Sequence, residues 1–175
     1  AVAGPFLMIL FGYLGIILFS RKQADLVELF GTTPSTQGRP RVLDTSAIIA
    51  LLSATDDAHA RVTAALRQEA APFLVPAAVL GEVGYFIEDR FGQRVLERFL
   101  DDIVAGAFIV DCGEEDAARI RALVGRYEDL PLGLVDAAVI ACAERSGGRV
   151  LTLDQRDFSV VGREVPLTIL PGTPG

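Results

Sequence analysis

Four carboxylates stand where they could do chemistry. Asp44 directly follows an apolar run in VLDTS, and Asp154 directly follows another in LTLDQRD. Glu82 is the one charge between Pro76 and Ile87, and Asp136 the one charge from Leu130 to Cys142. An ionised carboxylate in so apolar a stretch is costly unless it is paired or binds a cation. No lysine follows Lys22, so a pairing partner there would have to be an arginine. Four carboxylates brought to one place without a lysine make a hard-cation site, suited to Mg²⁺ or Mn²⁺. Each acid also has an ordinary alternative. Asp44 or Ser46 could cap a helix, Asp154 could form an Asx-turn, Glu82 could lie on a solvated helix flank, and Asp136 could pair with an arginine.

The elements that must position these acids follow from periodicity and turn chemistry. Short apolar runs predict strands at 41–43, 73–75, 107–110 and 149–153, with a fifth at 167–170. Between them, helical patterns cover 47–52, 56–70, 77–89, 93–105 and 114–127, and a last helix opens at Pro131 and runs to about Arg145. Residues Asp44, Thr45 and Ser46 make the first turn. Strands alternating with helices predict an α/β fold with a short, mostly parallel central sheet and helices on both faces, a three-layer α/β/α sandwich. In such sheets the functional site lies beyond the carboxyl ends of the strands, where Asp44 and Asp154 fall.

Composition narrows the chemistry further. The chain has 175 residues, a net charge of −7 and 51% hydrophobic residues, which suits one folded domain with an appendage. Residues 1–40 hold Arg21, Lys22 and Arg39 against Asp25 and Glu28, a net of +1. Residues 41–175 hold 13 Arg against 21 acids, a net of −8. So acidic a domain argues against unspecific electrostatic binding of nucleic acid. Two cysteines and one histidine exclude a four-ligand structural zinc site and a disulfide scaffold. The missing lysine excludes a P-loop and counts against a phospho-acceptor receiver site, and no dinucleotide-binding glycine fingerprint occurs. His59 sits at a helix start, a solvated position, and Cys112 and Cys142 read as inert buried thiols.

The front of the chain differs from the rest. Residues 1–20 carry no charge, and from Pro5 to Phe19 the sequence reads PFLMILFGYLGIILF. Twenty residues of helix span roughly 30 Å, one bilayer core, and Arg21 and Lys22 follow at once. Residues 1–22 are therefore read as a membrane anchor or a non-native leader, 23–40 as a linker, and 41–175 as the folded domain. The anchor would leave that domain on the cytoplasmic side.

Four stretches together carry a family resemblance: RVLDTSAIIALL, VPAAVLGEVGYFI, YEDLPLGLVDAAVIACAER and GRVLTLDQRDFSVV. In order, spacing and context, residues 41–161 resemble a PIN domain of the VapC toxin type. The resemblance implies a PIN-like fold and a Mg²⁺-dependent endoribonuclease, with Mn²⁺ able to substitute, that acts as the toxin of a toxin–antitoxin pair. It implies a cytoplasmic homodimer paired with a VapB-like antitoxin. Carried over by position, the four family acids fall on Asp44, Glu82, Asp136 and Asp154, as both catalytic and metal-holding residues. Ser46 is the neighbouring hydroxyl, and Asp157 is the second choice for the fourth acid. The family cuts RNA to leave a 5′-phosphate and a 3′-hydroxyl. Arg145, Arg149 and Arg156 flank the predicted edge and are candidates to contact RNA. Arg90, Arg94 and Arg98 share helical spacing but read as a solvated face pairing with Glu97, Asp101 and Asp102. No aromatic platform for bases is evident. The alternative function is a catalytically inactive PIN-like module that binds RNA or protein.

Overall fold

In the computed structural model, residues 38–67, 72–111, 113–130 and 132–172 are described. The apolar stretch from Pro5 to Phe19, the linker as far as residue 37, and Cys112 lie outside the described residues. Within the described residues, no helix is long and apolar enough to cross a membrane.

Each strand is short and mostly apolar, and every one but the last is followed by a helix. Strand β1 (Arg41–Leu43) leads into α1 (Thr45–Leu52) and then α2 (His59–Arg67). Strand β2 (Phe73–Pro76) leads into α3 (Ala77–Phe91) and α4 (Gln93–Val104). After β3 (Ile109–Asp111), a 3₁₀ turn (Glu114–Asp116) opens α5 (Ala117–Arg126), and α6 (Leu134–Ser146) follows. Strand β4 (Arg149–Leu151), α7 (Gln155–Val161) and β5 (Thr168–Leu170) complete the order.

The strands form one five-stranded sheet in the order β3-β2-β1-β4-β5, with every pairing parallel. Connections from β1 run outward to β2 and β3, whereas connections through β4 run the other way to β5. Right-handed crossovers therefore put helices on both faces. They also make the β1–β4 boundary the topological switch point, where crevices form beyond the carboxyl ends. Asp44 and Asp154 follow the two strands at that boundary.

The expected elements are present, with differences that have local causes. Helix α1 starts at Thr45 rather than 47, because Asp44 caps it in extended conformation (φ −89°, ψ 160°) and accepts from the Ser46 amide. Arg90, Arg94 and Arg98 do not share one helix face. Gly92, at φ 82°, separates α3 from α4, a backbone turn that favours glycine. Strand β3 begins two residues later than expected, and α6 begins at Leu134. Helix α7 was not expected. Its seven residues are capped by Asp154 and anchored by the buried Phe158 and Val161. At Gly148 (φ 79°) an added Cβ would run into the Pro166 carbonyl oxygen, so only glycine allows this close approach before β5.

The core joins both sheet faces. Helix α6 buries seven consecutive residues from Ala137 to Ala143, four of them alanine, and packs against β1, β2 and β4. Small side chains let the helix lie close to the strands. Val79, Val83 and Ile87 hold α3 by a single stripe at the spacing of one helix face.

Candidate active site

One cleft of about 370 Å³ is lined by Asp44, Glu82, Asp136 and Asp154 together. Four parts of the chain position them: the end of β1, the second turn of α3, the first turn of α6 and the end of β4. The sequence therefore pointed to four acids that do share one place.

Asp44 is 5% exposed and is held by two hydroxyls. Its Oδ2 accepts from Ser46 Oγ at 2.6 Å and from Thr152 Oγ1 at 2.8 Å. Those hydroxyls also accept hydrogen bonds. Ser46 Oγ accepts from the Leu153 amide at 2.9 Å, and Thr152 Oγ1 accepts from the Asp154 amide at 3.0 Å. The ends of β1 and β4 are thus stitched together through side chains just beyond their last paired residues. Across the cleft, Thr45 Oγ1 donates to Glu82 Oε2 at 2.5 Å. Asp154 Oδ1 accepts from the Asp157 amide at 3.1 Å and caps α7.

Asp136 lies in the first turn of α6, where the helix dipole favours a negative charge. Its Oδ2 accepts from the Gly133 amide at 3.1 Å. Burial nevertheless pushes its pKa up to about 6, against the Gly133 hydrogen bond and with added repulsion from Asp44, Asp154 and Glu82. No arginine pairs with it among the described residues, so the ordinary alternative for this acid does not hold.

In all four acids one carboxylate oxygen accepts from the protein: Asp44 Oδ2, Glu82 Oε2, Asp136 Oδ2 and Asp154 Oδ1. The other oxygen accepts no hydrogen bond among the described residues. Four anchored carboxylates, each with one oxygen left over, are an all-oxygen donor set that fits a hard divalent cation. The acids share a cleft rather than a coordination sphere. Among the described residues, no group of three or more His, Cys, Asp or Glu is gathered tightly enough to hold a metal as it stands.

The other expected residues fall in several places. Asp157 is not part of the cleft lining; its Oδ1 is buried and lies 3.8 Å from Arg156 Nε. Arg156 is 86% exposed at the start of α7, beside Asp154. Arg145 is not brought to the cleft. It is held by Asp111, Asp116 and Glu115 at 2.8–3.0 Å. Arg149 is the first residue of β4, at the opposite end of that strand from Asp154. His59 is half-buried rather than solvated, with Nδ1 2.9 Å from the Ala50 carbonyl oxygen, and joins α2 to α1. Cys142 is buried, and burial pushes its thiol pKa up to about 12, as expected of an inert thiol.

Four residues at the site were not read from sequence as part of it. Thr45 and the buried Thr152 orient two of the acids, and Asp56 and Phe86 line the cleft; Arg90, read as part of a solvated face, lines it too. The hydroxyls could have been found by position, since Thr45 adjoins Asp44 and Thr152 lies two residues before Asp154.

Comparison with known proteins agrees with this geometry. The PIN domain family model matches residues 41–164. Ribonuclease VapC26 of Mycobacterium tuberculosis is 31% identical over 122 residues, covering 69% of this chain and 90% of that protein. The crystal structure of M. tuberculosis VapC20, a toxin that cleaves the sarcin–ricin loop, superposes with a TM-score of 0.62 at 19% identity, over 69% of this chain and 94% of that one. The crystal structure of VapBC2 from Rickettsia felis, bound to a DNA fragment from its promoter, gives a TM-score of 0.55 at 15% identity, over 74% and 96%. These two likenesses show the fold. VapC-type PIN ribonucleases are in general metal-dependent. The chain belongs to the PIN-domain family, in its VapC ribonuclease branch.

Proposed function

We propose that this protein is a Mg²⁺-dependent endoribonuclease, with Mn²⁺ able to substitute, and the toxin of a toxin–antitoxin pair. The observation that carries the reading is Asp136, an acid half-buried among three others, with its pKa raised by burial and by their charge. Such a perturbed carboxylate in a cleft at the switch point marks a functional site. Asp44, Asp136 and Asp154 would hold the cation, joined by Glu82 directly or through water. A divalent cation held there would neutralise charge developing on the phosphate and make an attacking water more acidic. Glu82 Oε1, free while Thr45 holds Oε2, is the atom to take the water's proton. Ser46 and Thr152 keep Asp44 in one orientation, and the apolar wall at Ile49 and Leu153 limits water.

Cleavage of total RNA by the full chain tests this, with and without EDTA. Wild-type activity should vanish in EDTA and return with Mg²⁺ or Mn²⁺. Calorimetric titration with Mn²⁺ separates this enzyme from an inactive PIN-like module, which would bind no metal at millimolar levels.

Thr152→Val tests the positioning of Asp44 at nearly constant volume. Loss of the buried hydroxyl removes a hydrogen bond from the carboxylate and one from the Asp154 amide. RNA cleavage should fall about 10–100-fold, as when an outer-shell support of a metal ligand is lost. Stability should fall by about 1–3 kcal/mol. Cleavage equal to wild type would remove Thr152 from the site.

The acidic cleft also suits a basic segment of a VapB-like antitoxin. We read the protein as a cytoplasmic homodimer with residues 41–175 as its catalytic domain. Light scattering and cell fractionation of the full chain test the dimer and any tether through residues 1–22.

A further inference from the structure

We propose that Arg90 and Phe86 form a stacked clamp for a phosphate of single-stranded RNA upstream or downstream of the bond that is cut. The proposal rests on the ribonuclease reading and extends it to how an acidic cleft holds a polyanion.

Glu82, Phe86 and Arg90 recur every fourth residue along α3, and all three line the acid cleft. Residues at this spacing share one helix face. At 1.5 Å rise per residue, Arg90 lies about 12 Å along the helix from Glu82. A strand advances roughly 3–7 Å per nucleotide between stacked and extended forms, so the clamp meets the backbone about two to four nucleotides from the acids.

The electrostatics make Arg90 distinctive. The described lining holds five carboxylates, Asp56 being the fifth, and Arg90 is its one cation. No ion pair with a carboxylate occupies it among the described residues, unlike Arg119, Arg126 and Arg145. Its guanidinium carbon sits 4.6 Å from the centroid of the Phe86 ring. Cation–π contact fixes the plane of the guanidinium while leaving its N–H edge open, and that edge matches phosphate oxygens bidentately. Phe86 is half-buried, so the ring is a rigid base for the stack.

The test is fluorescence anisotropy of a labelled single-stranded RNA with the full chain in EDTA, which separates binding from cleavage. Arg90→Ala should weaken binding about 5–20-fold and lower the salt slope by about 0.7, one phosphate contact. Arg90→Lys should recover part of the affinity, and Phe86→Leu should lose part of it. With metal, Arg90→Ala should raise KM by a similar factor and leave kcat within about twofold. Unchanged affinity and salt slope in Arg90→Ala would overturn the clamp, even with wild-type cleavage intact. Equal losses in Arg156→Ala, together with unchanged Phe86→Leu, would also overturn it, because the effect would then be general surface charge. If wild type binds RNA with this Arg90 dependence but does not cut it, the clamp stands and the ribonuclease reading fails. If wild type binds no RNA in EDTA, the clamp falls, and cleavage with added metal decides the ribonuclease reading separately.

Discussion

An Asp136→Asn protein is expected to lose RNA cleavage by at least about 10²-fold, yet to melt about 3–8 °C above wild type in EDTA at pH 7.5. The two effects share one cause. Folding raises the pKa of Asp136 from 3.8 to about 6, first by burial and then by repulsion from Asp44, Asp154 and Glu82. The folded state therefore favours the protonated carboxyl. That preference contributes stability at low pH and is lost as the pH rises from about 4 through 6. Above that window the metal-free fold carries a charge that its surroundings resist. Asparagine removes the charge and keeps an oxygen for the Gly133 amide. After discounting for solvent around a half-buried group, the gain is about 1–2 kcal/mol. Melting curves in EDTA between pH 4 and 8 check the sign: the gap should close as the pH falls through 6. Added Mn²⁺ should then raise the wild-type melting temperature and leave the mutant unmoved. A mutant that melts below wild type at pH 7.5 in EDTA would overturn this account.

The second large effect lies in the support of β1. Arg41 is 0% exposed, and its Nη1 donates to the carbonyl oxygens of Ala65 and Leu66 at 3.0 Å each. These carbonyls end α2, where a helix leaves acceptors without internal donors and a cation is favoured. The guanidinium also lies 5.9 Å from the Phe73 ring centroid, tying β1, β2 and the end of α2 together. Arg41→Met keeps much of the volume but strands two buried carbonyls. It should cost about 2–4 kcal/mol, read as a lower urea midpoint at unchanged slope. Asp44 is three residues further along the same chain, so the folded mutant should also bind Mn²⁺ more weakly. An unchanged urea midpoint would show that the carbonyls find other donors.

How much was legible in the sequence depended on what kind of signal each residue carries. Glu82 and Asp136 are visible as lone charges in apolar runs, Asp44 and Asp154 as acids directly after strands, and all four share the cleft. Their ordinary roles proved compatible with a chemical one. Asp44 caps α1 and Asp154 caps α7 with one oxygen, and both still line the cleft. Thr45 and Thr152 carry no charge to mark them, and only their positions, beside Asp44 and two residues before Asp154, pointed to them. Helix α7 was missed because seven residues are two turns, too few for an apolar stripe to declare itself. Arg149 could have been placed correctly: it opens the strand that Asp154 follows, and so belongs to the other edge of a parallel sheet. Arg145 could not, because nothing local reveals that Asp111 and Asp116 lie across from the end of α6. Arg90 looked like one step of a charged face until Gly92 divided that face between two helices.

The division of each carboxylate into a held oxygen and a spare one has a consequence for how this site tolerates change. The held oxygen always faces a donor: a hydroxyl or a backbone amide. An amide replacing Asp44, Asp136 or Asp154 has one oxygen to offer, and the backbone N–H there, which can only donate, will select it. The NH₂ group is then turned to the spare side, where it presents hydrogens instead of lone pairs. Substitution by asparagine thus does more than cancel a charge. It installs a group of the wrong polarity in a fixed orientation, a gatekeeper against cations that alanine would not create.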